Sequence, residues 1–176
     1  MNAHALASAD TLDAIVAALP AASGSPAGAL LAPFTAGFYA RVPQDELAAR
    51  DPADWAAAAS AFLAFAGQRT PGVAKISVCN PSRAVDGFES SHTVVRIVND
   101  DMPFLVDSVR MALVQSGASL HQIVHPVLAV TRGPDGQLQA VGEDGPAESL
   151  MYLEIDRQPD AAGMQALQAT IGSALA

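Results

Sequence analysis

The chain has 176 residues, enough for one domain with an extension and for a core that needs no covalent staples. It carries 18 acidic against 9 basic residues, a net charge of −9 with Lys75 as the only lysine, and such a surface disfavours a nucleic-acid partner. One cysteine, Cys79, leaves no internal disulfide and fits a reducing compartment; no secretory signal opens the chain and no apolar run nears the roughly 20 residues of a membrane span, so the expected location is the cytoplasm with no membrane contact.

Residues 1 to about 70 read as helices punctuated by proline and glycine: TLDAIVAAL, PAGALLAPFTAGFYARV, PQDELAARD and PADWAAAASAFLAFAGQ. The last two open with proline and first-turn acids, which suit the unpaired N–H groups and the dipole of a helix start. In the fourth, Trp55, Ala59, Phe62 and Ala66 fall on one face, the pattern of a helix that docks on a core.

From residue 73 the period changes to two. VAKISVCN alternates Val73, Lys75, Ser77 and Cys79 with Ala74, Ile76 and Val78, and SHTVVRIVN gives a second, β-branched strand. MPFLVDSVRMALVQSG reads as a helix with Leu105, Val109, Ala112 and Leu113 inward and Gly117 as a left-handed stop. LHQIVHPVLAVTR and QLQAV flank the turn GPDG as a hairpin, SLMYLEIDR is a further strand, and Met164, Leu167, Ile171 and Leu175 stripe a last helix.

The order predicts an α+β fold, an antiparallel sheet with helices on one face, preceded by a helical N-terminal extension: residues 1–70 as the extension and 71–176 as the α+β domain. No closing strand follows the last helix. Either the strand at 73–79 takes its place or the closing strand lies beyond residue 176, in a longer polypeptide of which this chain is a truncated piece.

The layout resembles the ACT domain, a βαββαβ module. HTVVRIVNDDMPFLVDSVRMAL, the HPVLAVTR strand and ESLMYLEIDRQ are similar to the N-terminal region of the large bacterial NAD-specific glutamate dehydrogenases, with NDDMPFLVDS the most specific phrase. The resemblance implies a non-catalytic regulatory or assembly module of an enzyme of amino-acid catabolism. It further implies NAD as cofactor of the parent but not of this chain, the remaining domains of the same polypeptide as partners, a homo-oligomer, and an amino acid as candidate effector. The residues themselves agree, since the chain has neither a GxGxxG fingerprint nor a P-loop. Two alternatives stay open: a free-standing small metal- or cysteine-dependent enzyme, and a purely structural spacer.

The candidate effector or interface turn is Asp100, Asp101, Pro103, Phe104 and Asp107. In the ACT pattern Asp-x-Pro-Gly the glycine admits a ligand, and here Phe104 stands in its place, which counts against close approach. Asn99, Asp100 or Asp101 is expected to cap the following helix with Pro103 in its first turn, and Asp107 to be buried against Ser108 or Arg110. No catalytic or cofactor-binding residue and no metal site is expected. Cys79, His92, His121 and His125 are the candidate soft ligands, and His121 and His125 on one extended strand would sit about 13 Å apart, too far for one ion.

Overall fold

The computed structural model describes residues 11–21, 24–142 and 144–176. Residues 11–17 are helical (α1), followed by α2 (Pro26–Tyr39), α3 (Gln44–Ala48), α4 (Pro52–Ala66), β1 (Lys75–Cys79), the short α5 (Arg83–Asp86), β2 (Thr93–Asp100), α6 (Leu105–Gln115), β3 (Leu120–Val124), β4 (Val127–Arg132), β5 (Leu138–Gly142), β6 (Ala147–Ile155) and α7 (Ala161–Ala174). Several starts are capped as their sequences suggest: the Ser25, Asp51 and Asp160 side chains accept from the N–H groups of Gly28, Ala53 and Gly163, with proline inside the first turn of α2 and α4.

All six strands form one antiparallel sheet in the order β1-β2-β6-β4-β5, with β3 also on β6. β3 and β4 are one strand path broken at His125 and Pro126, a break the sequence reading passed over. β6 lies at the centre, paired with β2 from Thr93↔Ile155 to Asp100↔Glu148. β1 pairs with β2 on the side away from β6, so the next position in the sheet is the outer edge of β1.

Helices α6 and α7 cover one face of the sheet, burying Val95, Ile97, Met151, Leu153 and Ile155 beneath Val109, Leu113, Leu167 and Ile171. The opposite face is not left to solvent. The N-terminal helices cover it, with Phe34, Phe38, Trp55 and Phe62 packed on Val94, Val98, Leu150 and Tyr152. Coverage of both faces explains why β2 and β6 read as almost unbroken apolar runs rather than as alternating ones. Within the helical layer Trp55 Nε1 donates to the Leu47 carbonyl at 3.0 Å and Tyr39 OH to the Trp55 carbonyl at 2.7 Å, so these large rings bury without stranding a polar atom.

Candidate functional site

The two faces of the sheet are apolar, and the polar chemistry gathers at its ends. Two glutamates of β6, Glu148 and Glu154, are both buried and both on the face beneath the N-terminal helices. Arginines meet each of them.

At the Glu148 end the network is closed. Arg69, which follows α4, donates to Glu148 Oε1 at 2.7 Å and to Asp100 Oδ1 at 2.8 Å, and so reconciles two carboxylates that stand directly opposite each other in the register. Arg132 donates to both Glu148 oxygens at 2.8 and 2.9 Å and to the carbonyls of Ala66 and Gly136. Gly136 is required here, because at φ 83 a Cβ would lie 2.2 Å from the Arg69 carbonyl oxygen.

The sequence-derived turn begins at this end. Asp100 is tied to Arg69 and to the Gly72 N–H rather than to a helix start. Asp101 is exposed and donates its backbone N–H to the Ala147 carbonyl. No acid caps α6: its N-cap is Phe104, without a side-chain cap bond, and Pro103 stands just before the first turn rather than in it. Asp107 is exposed, not buried, because it faces outward from α6 while Leu105 and Val109 face the sheet. Phe104 keeps the backbone that the ACT glycine would have, at φ 66 and ψ 10, the single positive φ among the described non-glycine residues. Its ring is 77 % exposed.

At the opposite end, about 20 Å away along β6, lies an open polar cleft of about 760 Å³. Glu46 of α3, Arg50, the Glu89–His92 loop, Arg110 of α6 and the start of β3 line it, with Glu154 at its floor. Glu154 accepts from Arg50 Nη2 at 2.8 Å and Tyr152 OH at 2.7 Å, and His92 Nδ1 approaches at a longer 3.4 Å. Burial pushes the Tyr152 phenol well up, and the Glu154 carboxylate adds to it, so Tyr152 remains a donor. Burial would lower the Arg50 guanidinium, but Glu154 more than offsets this and raises it. Arg50 Nη1 is buried without a hydrogen-bond partner. The His92 and His121 rings lie 4.3 Å apart, tilted by 32°, and His121 Nε2 meets Asp156 Oδ1 at 2.6 Å. Hydrogen bonds from His121 and from Ser119 hold the Asp156 carboxyl down at about 2.

The four soft ligands named from sequence are therefore dispersed. His92 and His121 meet at the cleft, His125 is bonded to Ser149 at 2.7 Å, and Cys79, at the end of β1, accepts from Arg96 Nη2 at 3.3 Å. Burial raises the Cys79 thiol, so it lacks the thiolate character of a nucleophile. Among the described residues no group of three or more His, Cys, Asp or Glu is placed to hold a metal ion, and no helix is long and apolar enough to cross a membrane. Sequence reasoning missed the cleft. A usable signal was Glu154 inside the apolar run SLMYLEI, since a carboxylate in a strand buried on both faces must have partners waiting for it.

Known proteins are similar to this chain in sequence. Residues 34–171 match the family model for "Glutamate dehydrogenase, ACT1 domain", a span that starts within α2 and takes in α3 and α4 as well as the sheet. The chain is 38 % identical over 140 residues to the NAD-specific glutamate dehydrogenase of Halomonas elongata, covering 76 % of this chain and 9 % of that one. It is 43 % identical over 103 residues to the NAD-specific glutamate dehydrogenase of Pseudomonas aeruginosa, covering 55 % of this chain and 6 % of that one. The chain thus spans less than a tenth of the length of these relatives. A match over most of its residues, by a fold with an ACT-type sheet and helices, shows that the chain belongs to the glutamate dehydrogenase ACT1 domain family.

Proposed function

We propose that this chain is a non-catalytic regulatory and assembly module of a large NAD-dependent glutamate dehydrogenase, the enzyme that oxidatively deaminates L-glutamate to 2-oxoglutarate and ammonia. The observation that carries the reading is the family match over residues 34–171, within relatives of whose length the match covers only 9 % and 6 %. The chemistry of the chain supports it: no phosphate-binding glycine fingerprint is present in the sequence to seat NAD, and Cys79 is a packed thiol. Catalysis and NAD binding then belong to other domains of the same polypeptide, which are this module's first partners.

The effector seat in this reading is the cleft at Glu154, not the turn at Phe104. An amino acid carries one charge of each sign, and the residues that line the cleft include Arg110 of α6 as well as Glu46 and Glu89. Its floor joins Arg50 of the helical layer to β6, so an occupant that shifts Arg50 acts on both layers at once. Titration of the purified chain with NAD by calorimetry is expected to show no binding, and micromolar affinity would overturn the non-catalytic assignment. In a panel of L-amino acids at least one is expected to raise the melting temperature of the wild-type chain and not that of His121→Gln. A panel without any such amino acid favours the structural spacer.

A further inference from the structure

We propose that the outer face of the α6–α7 layer is a self-association surface, on which a second copy of this chain docks with α6 against α6, antiparallel about a two-fold axis. The proposal rests on the assembly half of the reading above and gives it a surface; Arg110 also lines the cleft, so association is measured without amino acid and through Met111 and Val114, which lie outside it, and the two readings fail separately.

Four of the seven large apolar side chains exposed among the described residues lie on this one element and its approach: Met102 at 51 %, Phe104 at 77 %, Met111 at 64 % and Val114 at 76 %. Asp107, Met111 and Val114 fall on the same side of α6 by helical spacing, and Phe104 stands exposed at its start. The other three, Val73, Val85 and Val127, are scattered singly, which is ordinary for a surface. Phe104 sharpens the contrast, because a residue with a Cβ resists a left-handed backbone, and here that conformation holds a phenyl ring out in water.

The layer is also nearly free of charge. α7 has no charged residue, and α6 has two, Asp107 and Arg110, of opposite sign. Beside α6, α7 exposes small or uncharged side chains such as Ala162, Ala166 and Ala169, a low surface over which another body can approach. Helix α2 is uncharged too, yet what it exposes is alanine, Pro26 and Pro33, with no large aliphatic or aromatic group. Depletion of charge together with exposed aromatic and methionine side chains is the composition of an interface centre.

Charge selects the occupant. Two copies of a chain at −9 repel over most of their surfaces, but not across a face whose two charges cancel. In a two-fold arrangement residue i meets j while j meets i. Antiparallel pairing of α6 about its middle brings Asp107 of each copy to Arg110 of the other and sets Phe104 against Val114 at both ends. The face is complementary to itself.

Sedimentation velocity of the purified chain from about 10 to 500 µM tests this. A reversible dimer is expected, and Met111→Glu is expected to weaken it by about tenfold or more. Asp107→Arg and Arg110→Asp should each abolish the homodimer, and mixing the two variants should restore a heterodimer, which a third-party binding face would not do. Melting curves verify that the variants are folded, and Val114→Lys serves if Met111→Glu is not. A wild-type chain that stays monomeric throughout, a dimer indifferent to Met111→Glu and Val114→Lys, or charge variants that do not pair when mixed would each overturn the proposal.

Discussion

The two ends of β6 solve the same problem in different ways. Each buries a glutamate on the face beneath the N-terminal helices, and each receives an arginine from that layer. At Glu148 two arginines saturate both carboxylate oxygens and spend their remaining donors on the Asp100 carboxylate and on backbone carbonyls. At Glu154 one arginine, one phenol and a more distant imidazole share the work, the arginine keeps an orphaned nitrogen, and a cleft opens beside them. A saturated network fastens; an unsaturated one beside solvent can be rearranged by whatever enters.

Breaking the fastened end should therefore cost most. Arg132→Ala takes the donor from Glu148 Oε2, leaves Arg69 alone to balance Glu148 and Asp100, and uncaps the end of α4, and a loss of about 3–5 kcal/mol by chemical denaturation is expected. A loss below about 1 kcal/mol would remove the distinction between the two ends. At the open end Glu154→Gln keeps the shape and an acceptor but leaves Arg50 without its counter-charge, for an expected loss of about 1–3 kcal/mol. The two substitutions should differ in the same assay.

Acid sharpens the comparison without mutating the floor. Asp156, beside the cleft, has its carboxyl depressed from 3.8 to about 2 in the folded chain. The sign follows: the unfolded chain takes up the proton first, so this contribution is complete above about pH 4 and is lost as pH falls through about 2. Asp156→Asn is expected to flatten the pH dependence of the melting temperature across that window, and an unchanged profile would mean that the His121 and Ser119 contacts do not hold the carboxylate in solution.

The smallest effects are expected at the turn. Phe104→Gly removes a left-handed penalty of about 1–2 kcal/mol and adds about 0.5–1 kcal/mol of backbone entropy, for a net gain of roughly 0.5–1 kcal/mol. It should weaken the proposed dimer at the same time, so stability and association move in opposite directions. Asp101→Ala, at an exposed site without a capping bond, is expected to stay within about 0.5 kcal/mol.

What the sequence displayed and what it hid divide along the range of the interactions involved. Helix faces such as Leu105, Val109, Ala112 and Leu113, the Gly117 stop and the hairpin around GPDG are legible because spacing along the chain determines them. The capping account failed at Asp100, whose proper partner, Arg69, lies 31 residues earlier and is brought near only by the packing of α4 on the sheet. The cleft was illegible for the same reason. Arg50, His92, His121 and Glu154 come from four separate segments, and no local spacing relates them. Phe104 marks the middle case: the motif showed that a glycine position had been filled, but not that the backbone would keep the glycine's conformation.

Burial of both faces has a consequence for strand alignment. In a sheet wet on one side, sliding a strand by one residue turns its apolar set into water, and that cost fixes the pairing. β2 and β6 lack this safeguard, since Val94, Val95, Ile97 and Val98 face Leu150 through Leu153 with apolar groups on both sides of the pleat. What distinguishes the correct alignment from a shifted one is the pair of glutamates at either end of β6, each of which finds its arginine in one alignment only. The costly buried charges thus act as the two marks of a ruler, and a β6 with leucine at both positions would retain its hydrophobicity while losing the information that tells it where to stop.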